Sequence, residues 1–114
     1  MKITGIGGVF FRAKDPDALS DWYQKHLGIN GMDWTQQQGQ TVFMPFPADT
    51  DYFGSKSQGF MLNLRVDDLN DLLRQLTADS VKVVKDVEEQ ASVGRFAWIE
   101  DPEGNRIELW EPSE

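Results

Sequence analysis

The chain has 114 residues, with 19 acidic side chains against 11 Lys and Arg, a formal net charge of −8, one His and no Cys. This length predicts one domain. The negative charge disfavours duplex DNA and anionic membranes as partners. The lack of Cys excludes disulfides, thiolate metal sites and a Cys nucleophile. Because the sequence has neither a membrane-length apolar run nor a signal-peptide pattern, we expect a cytoplasmic protein without membrane or nucleic-acid partners.

The first half of the chain begins with a predicted strand and a predicted helix. Residues 3–13 are rich in β-branched and aromatic side chains, which favour a strand. Asp15 supplies a helix N-cap, and Pro16 suits the first helical position. The apolar spacing that follows predicts a helix over 16–27, and Gly28 is typical of the position just after a helix end.

Two weaker strands and a loop complete the first half. Segments 32–36 and 41–46 have the composition of strands. Pro45 and Pro47 end the second of them because proline cannot donate a hydrogen bond to a sheet. Residues 47–58 mix polar and aromatic side chains and indicate a loop, whose role the sequence leaves open.

The second half opens with the same order of elements. Residues 60–66 alternate between apolar and polar side chains, as a half-buried strand does. Asp68 is a helix N-cap. The helix after it has an apolar face, which consists of Leu69, Leu72, Leu73 and Leu76.

Three further strands are predicted at the end of the chain, over 81–87, 93–100 and 106–111. The last two are joined by the sequence Asp-Pro-Glu-Gly at 101–104. This sequence places Asp, Pro and Gly where a type I turn favours them, and it therefore predicts a hairpin.

The sequences of the two halves can be aligned with each other. Placing Arg12 on Arg65 also aligns the strand, the capping Asp and the helix of each half. Such a match argues for an internal duplication of a β-α-β-β-β unit, with one module over about residues 1–57 and the other over about 58–114.

The motifs at both ends of this pattern resemble a known family. Residues 101–110 (Asp-Pro-Glu-Gly-Asn-Arg-Ile-Glu-Leu-Trp), the helix end at 26–28 and the stretch 45–53 are similar to the vicinal oxygen chelate superfamily of glyoxalase, bleomycin-resistance and dioxygenase proteins. The resemblance implies an α+β fold in which two βαβββ modules form a curled mixed sheet around a cavity, as one glyoxalase-like domain over 1–114. It also implies a homodimer.

The resemblance further implies four positions for the ligands of a divalent metal, and this chain departs from that pattern. Only Glu108 offers a carboxylate, whereas the corresponding first-strand positions are Gly8 and Met61 and the fourth falls near Phe43 or Met44. Glycine offers no ligand and a thioether is too soft for hard divalent ions, so we expect neither a metal nor another cofactor.

Strand alternation predicts which side chains share the face away from the helices. With the superfamily's geometry, that face lines the cavity and binds a small molecule. The predicted lining is mostly aromatic with a few polar groups, which is typical of small-molecule pockets. Its residues are Phe10, Arg12, Met61, Asn63, Arg65, Phe96, Trp98, Glu108 and Trp110.

Several roles remain open for the charged residues. Glu108 is the candidate catalytic residue as a general base, but it also suits a hydrogen-bond anchor for a ligand or a carboxylate without chemistry. Arg12 and Arg65 would either grip an anionic group of a ligand or pair with nearby acids. His26, in the last turn of the first helix, is expected to be structural.

The sequence therefore predicts a glyoxalase/bleomycin resistance-like protein that binds a small aromatic or amphipathic molecule, without metal. Two alternatives stay open. One is a metal-dependent lyase or dioxygenase of the same superfamily, and the other is a metal-free enzyme in which Glu108 acts as the general base. Whether the protein is an enzyme, and which molecule it binds, are not determined by the sequence.

Overall fold

The computed structural model describes residues 1–114 and contains two helices and one four-stranded mixed sheet. The elements are α1 (Pro16–Leu27), β1 (Leu62–Arg65), α2 (Leu69–Ala78), β2 (Lys82–Gln90), β3 (Gly94–Glu100) and β4 (Arg106–Pro112). The strand order is β1-β4-β3-β2, with β1 parallel to β4 and the other pairs antiparallel. This architecture confirms the predicted α+β class.

Both helices begin at the predicted capping residues. Asp15 accepts a hydrogen bond from the backbone N–H of Ala18 at 3.1 Å, and Asp68 accepts one from Asp71 at 3.0 Å. Gly28 ends α1 in the left-handed region, with φ of 68°. Neither helix is long and apolar enough to cross a membrane.

The turn between β3 and β4 forms as its sequence predicts and also anchors α1. The backbone N–H of Gly104 donates to the carbonyl of Asp101 at 3.0 Å, which closes the turn. The side chain of Asp101 is buried and accepts a hydrogen bond from the hydroxyl of Tyr23 at 2.7 Å. Burial, followed by this hydrogen bond, raises the pKa of Tyr23 well above its ordinary value.

The hydrophobic core lies between the helices and one face of the sheet. Its buried members are Leu19, Tyr23, Leu69, Leu76, Ala97, Ile99, Ile107 and Leu109. Because side chains alternate along a strand, burial of Ile107 and Leu109 under the helices directs Glu108 and Trp110 to the opposite face. That opposite face is where the candidate site lies.

The first half keeps its helix but lacks the strands predicted over 3–13, 32–36 and 41–46, since residues 1–15 and 28–61 contain no strand. A strand is stable only when a neighbour pairs with its backbone N–H and C=O groups, and these segments pair with none. Their apolar side chains are correspondingly exposed. The sheet of this single chain is therefore open and has four strands.

Candidate functional site

Three aromatic rings follow one another across the sheet face that the helices leave uncovered. We call Trp98, Phe96 and Trp110 the aromatic row. The ring centroids of Phe96 and Trp98 lie 6.3 Å apart with an interplanar angle of 21°, and those of Phe96 and Trp110 lie 6.1 Å apart at 2°. The row forms because Phe96 lies two residues from Trp98 on β3 and directly opposite Trp110 on β4.

The backbone next to the row holds Trp110 in place. The indole N–H of Trp110 donates to the carbonyl of Val93 at 3.0 Å. The neighbouring Gly94 has φ of 139°, and a Cβ there would lie 2.8 Å from Trp110 Nε1. The backbone carbonyl oxygen of Glu111 would lie closer still to this Cβ, so the backbone conformation, this carbonyl and the indole together require a glycine.

Glu108 lies beside the aromatic row and is only 9% exposed. Its Oε1 accepts a hydrogen bond from Asn63 Nδ2 at 2.6 Å. Its Oε2 accepts hydrogen bonds from the hydroxyl of Tyr52 and from Trp98 Nε1, the latter at 3.1 Å. Three uncharged donors, rather than an arginine, therefore satisfy this carboxylate.

Tyr52 comes from the loop over 47–58 and covers part of the row. Its ring meets that of Trp98 edge-on, with centroids 6.3 Å apart, and stacks on Phe46 at 5.6 Å. Burial, then the hydrogen bond to Glu108, raises the pKa of Tyr52 to about 12. The sequence placed this tyrosine in a loop of open role, and the only signal for its contact with Glu108 was the loop's aromatic content.

The structure brings some of the predicted site residues together and separates others. Asn63 joins Glu108, as described, but the Arg65 guanidinium donates instead to the carbonyls of Gln37 and Gln40 at 2.9 and 2.8 Å. Arg65 thus fixes the loop before the predicted strand 41–46, and pairs neither with Glu108 nor with a nearby acid.

The predicted site residues of the first half lie outside the site in this chain. Phe10 is 96% exposed and Arg12 is exposed without a hydrogen bond or an ion pair, because the strand that was to carry them inward is not formed. Met61, the predicted site residue at the start of the second half, is half-buried immediately before β1.

Two residues of β2 that sequence reasoning missed lie on the same face as the row. Lys85 pairs in register with Trp98, and Glu88 pairs with Phe96. The ammonium of Lys85 lies 5.0 Å from the Trp98 ring centroid and 2.9 Å from the carboxylate of Glu88. No regular alternation puts residues three apart on one face of a strand, so their position was not predictable from the pattern.

The side chains around Glu108 do not provide the ligands of the divalent metal that the resemblance implies. No three His, Cys, Asp or Glu side chains lie close enough together to hold a metal ion. Glu108, the one carboxylate among the implied ligand positions, already accepts three hydrogen bonds. One carboxylate is too little protein ligation for a dedicated divalent site.

A polar cleft lies away from the aromatic row. It has a volume of about 530 Å³, lies between the loop 47–58 and the β3–β4 turn, and has no apolar lining. In its lining the Gln58 side chain donates to the carbonyl of Arg106 and accepts from the N–H of Arg106, whereas the buried Nε of Arg106 has no hydrogen-bond partner. We therefore place the candidate site at the aromatic row, where aromatic surface and a buried carboxylate meet.

Comparison with protein families gives one match. Residues 5–109 match the model of the Glyoxalase/Bleomycin resistance protein/Dioxygenase superfamily. No protein of the curated set matches the chain.

Solved structures provide further similarity. The antibiotic-binding protein TnmS3 from Streptomyces sp. CB03234 is 26% identical, with 99% of each chain covered and a TM-score of 0.67. A member of the same superfamily from Sphaerobacter thermophilus is 21% identical, with 96% of this chain and 98% of that chain covered and a TM-score of 0.64. An integron cassette protein from V. cholerae is 19% identical over 99% and 98% of the two chains, with a TM-score of 0.62. The last two show the fold alone.

Proposed function

The chain belongs to the glyoxalase/bleomycin resistance protein/dioxygenase superfamily, and from this premise we propose that it binds a small aromatic or amphipathic molecule at the aromatic row, without a metal. Similarity to an antibiotic-binding protein over nearly the whole chain supports a binding role. The ligand site would comprise Phe96, Trp98 and Trp110, with Asn63 and Glu108 as polar anchors.

The observation that carries the proposal is the row itself. Because Phe96 and Trp98 are only 9% and 4% exposed in the free chain, a flat molecule gains contact with the row, and a hydrogen bond to Glu108, only when the side chains that cover them move aside. Since the Tyr52 ring and its hydroxyl cover Trp98 and Glu108, a ligand enters by displacing Tyr52.

Neither enzymatic alternative has an observation in its favour. A metal-dependent lyase or dioxygenase needs ligands that this donor set does not supply. The use of Glu108 as a general base would require the same displacement of Tyr52 that ligand binding requires, and no observation favours proton transfer over a hydrogen bond at the oxygen that this frees. Binding without chemistry is the simpler function for this geometry.

Isothermal titration calorimetry with naphthylmethanol, a flat neutral probe with one hydroxyl, tests the proposal. The wild-type protein should bind the probe, and Trp110→Leu should weaken binding by about two- to tenfold because one aromatic face is lost. Glu108→Gln should weaken it by about tenfold or more through loss of a hydrogen bond to a charged group.

Trp34→Leu is the matched control, since Trp34 is 44% exposed and lies outside the aromatic row. It should leave the affinity unchanged. Equal losses for Trp34→Leu and Trp110→Leu, or no binding by the wild-type protein, would contradict the proposed site.

A further inference from the structure

Two irregularities in β2 bring a charged pair onto the face of the aromatic row. Between the pairs Val83–Ile99 and Lys85–Trp98, β2 contains one more residue than β3, which is a β-bulge. A second extra residue lies in β2 between the pairs Lys85–Trp98 and Glu88–Phe96. Each extra residue reverses the direction of the side chains that follow. Without these bulges, Lys85 and Glu88 would lie on opposite faces of the sheet.

The ammonium of Lys85 lies over the face of the Trp98 ring, where the cation of a ligand would also lie. Its ammonium lies 5.0 Å from the ring centroid, within the range of a cation–π interaction. Glu88 lies 2.9 Å from the same ammonium and acts as its counter-ion. The Trp98 face thus already holds a positive charge, with a carboxylate placed to balance it.

This intramolecular cation is easily displaced. The side chains of Lys85 and Glu88 are 63% and 45% exposed, and such exposed ion pairs contribute little to stability. If Lys85 moves into solvent, Glu88 loses its partner, while Glu108 keeps the uncharged donors Asn63 and Trp98 even when a ligand displaces Tyr52. Two carboxylates beside aromatic faces then remain, on a chain of net charge −8, and this arrangement favours a cation and repels an anion.

We propose that the site selects aromatic molecules that carry a positively charged group, and that Lys85 and Glu88 determine this selectivity. The ligand's cation replaces the Lys85 ammonium over Trp98 and pairs with Glu88, while its ring lies along the aromatic row. The inference rests on the proposed function, since it specifies the class of molecule that the same site takes.

The test compares three naphthyl probes of different charge by isothermal titration calorimetry on the full chain: naphthylmethylammonium, naphthylmethanol and naphthoate. Affinity should fall in that order. Lys85→Met removes the competing cation but keeps an apolar stem, so it should strengthen binding of the ammonium probe by about two- to fivefold. Glu88→Gln should weaken binding of the same probe by a similar factor, with naphthylmethanol unaffected.

Glu89→Gln is the matched control, because Glu89 pairs in register with Arg95 on the other face of the sheet and carries the same charge. It should change none of the three affinities. Equal binding of the ammonium and the alcohol, tighter binding of naphthoate, or equal effects of Glu88→Gln and Glu89→Gln would overturn the inference and leave the proposed function standing. Failure of all three probes to bind would reject both.

Discussion

At the level of single residues, Glu108 is the central feature of the site, because this carboxylate lies among aromatic rings and has no cationic partner. Its carboxylate accepts hydrogen bonds from Tyr52, Asn63 and Trp98, which come from a loop and two different strands. The buried charge therefore connects three parts of the chain. These hydrogen bonds give Glu108 a structural role, in addition to the role of ligand anchor that we propose for it.

Replacing Glu108 should reduce stability even when no ligand is present. In Glu108→Gln one acceptor oxygen becomes an NH₂ group that faces donors, which leaves at least one donor unsatisfied in a nearly buried site. We expect the free energy of unfolding to fall by about 1–3 kcal/mol, measured by urea denaturation. The exposed-site variant Glu89→Gln should stay within about 0.5 kcal/mol of the wild type, and a Glu108→Gln protein of wild-type stability would show that the network contributes nothing.

Tyr52 makes the protein sensitive to high pH. Because its pKa is raised from 10.0 to about 12 in the folded chain, the folded state retains a proton that the unfolded state loses. The stability from this hydrogen bond is complete below about pH 10 and is lost as the pH rises through about 12.

This pH dependence can be separated from that of the other tyrosine. Tyr23, whose pKa is also raised, is the only other Tyr in the chain and remains in Tyr52→Phe. The fall in unfolding free energy between pH 10 and 12 should therefore be smaller in Tyr52→Phe than in the wild type. Identical slopes in the two proteins would contradict the hydrogen bond between Tyr52 and Glu108.

At the level of helices and strands, the sequence predicted most accurately the features that depend on residues close together in the chain. The limits of α1, the cap of α2 and the β3–β4 turn agree with the structure because a few neighbouring residues define each of them. The bulges of β2 and the covering of Trp98 by Tyr52 depend on contacts distant in sequence. For this reason the sequence did not identify Tyr52, Lys85 or Glu88 as site residues.

The cap of α2 offers a direct test at this scale. Asp68→Ala removes the acceptor of the Asp71 N–H and should lower the free energy of unfolding by about 1 kcal/mol in chemical denaturation. Asp67→Ala removes a neighbouring exposed acid that does not cap the helix and should change it by less than about 0.5 kcal/mol. Equal losses for the two variants would mean that charge, not capping, is responsible.

At the level of the whole molecule, the first half of the chain leaves apolar side chains without partners. Ile3, Phe10 and Phe43 are 93%, 96% and 85% exposed, and all three lie in segments that the sequence predicts as strands. A second copy can supply both the sheet neighbours and the apolar cover that these segments lack in one chain. We therefore propose that the protein is a homodimer and that the missing strands form in the dimer.

Light scattering at micromolar concentration should give twice the chain mass of 13.0 kDa. Phe10→Asp should shift the population towards the monomer, because a charge would be buried in the interface. A wild-type mass equal to that of one chain would contradict the dimer. In that case nothing would place the two predicted site residues of the first half, Phe10 and Arg12, in the site.

The central claim is that the aromatic row binds a flat small molecule beside Glu108, and a crystal structure of the protein soaked with naphthylmethanol tests it most directly. The account predicts the naphthyl ring in contact with Trp98, Phe96 and Trp110, with Tyr52 displaced from Glu108 and no metal on that carboxylate. A probe found only in the polar cleft beside the β3–β4 turn, with Tyr52 still bonded to Glu108, would contradict it.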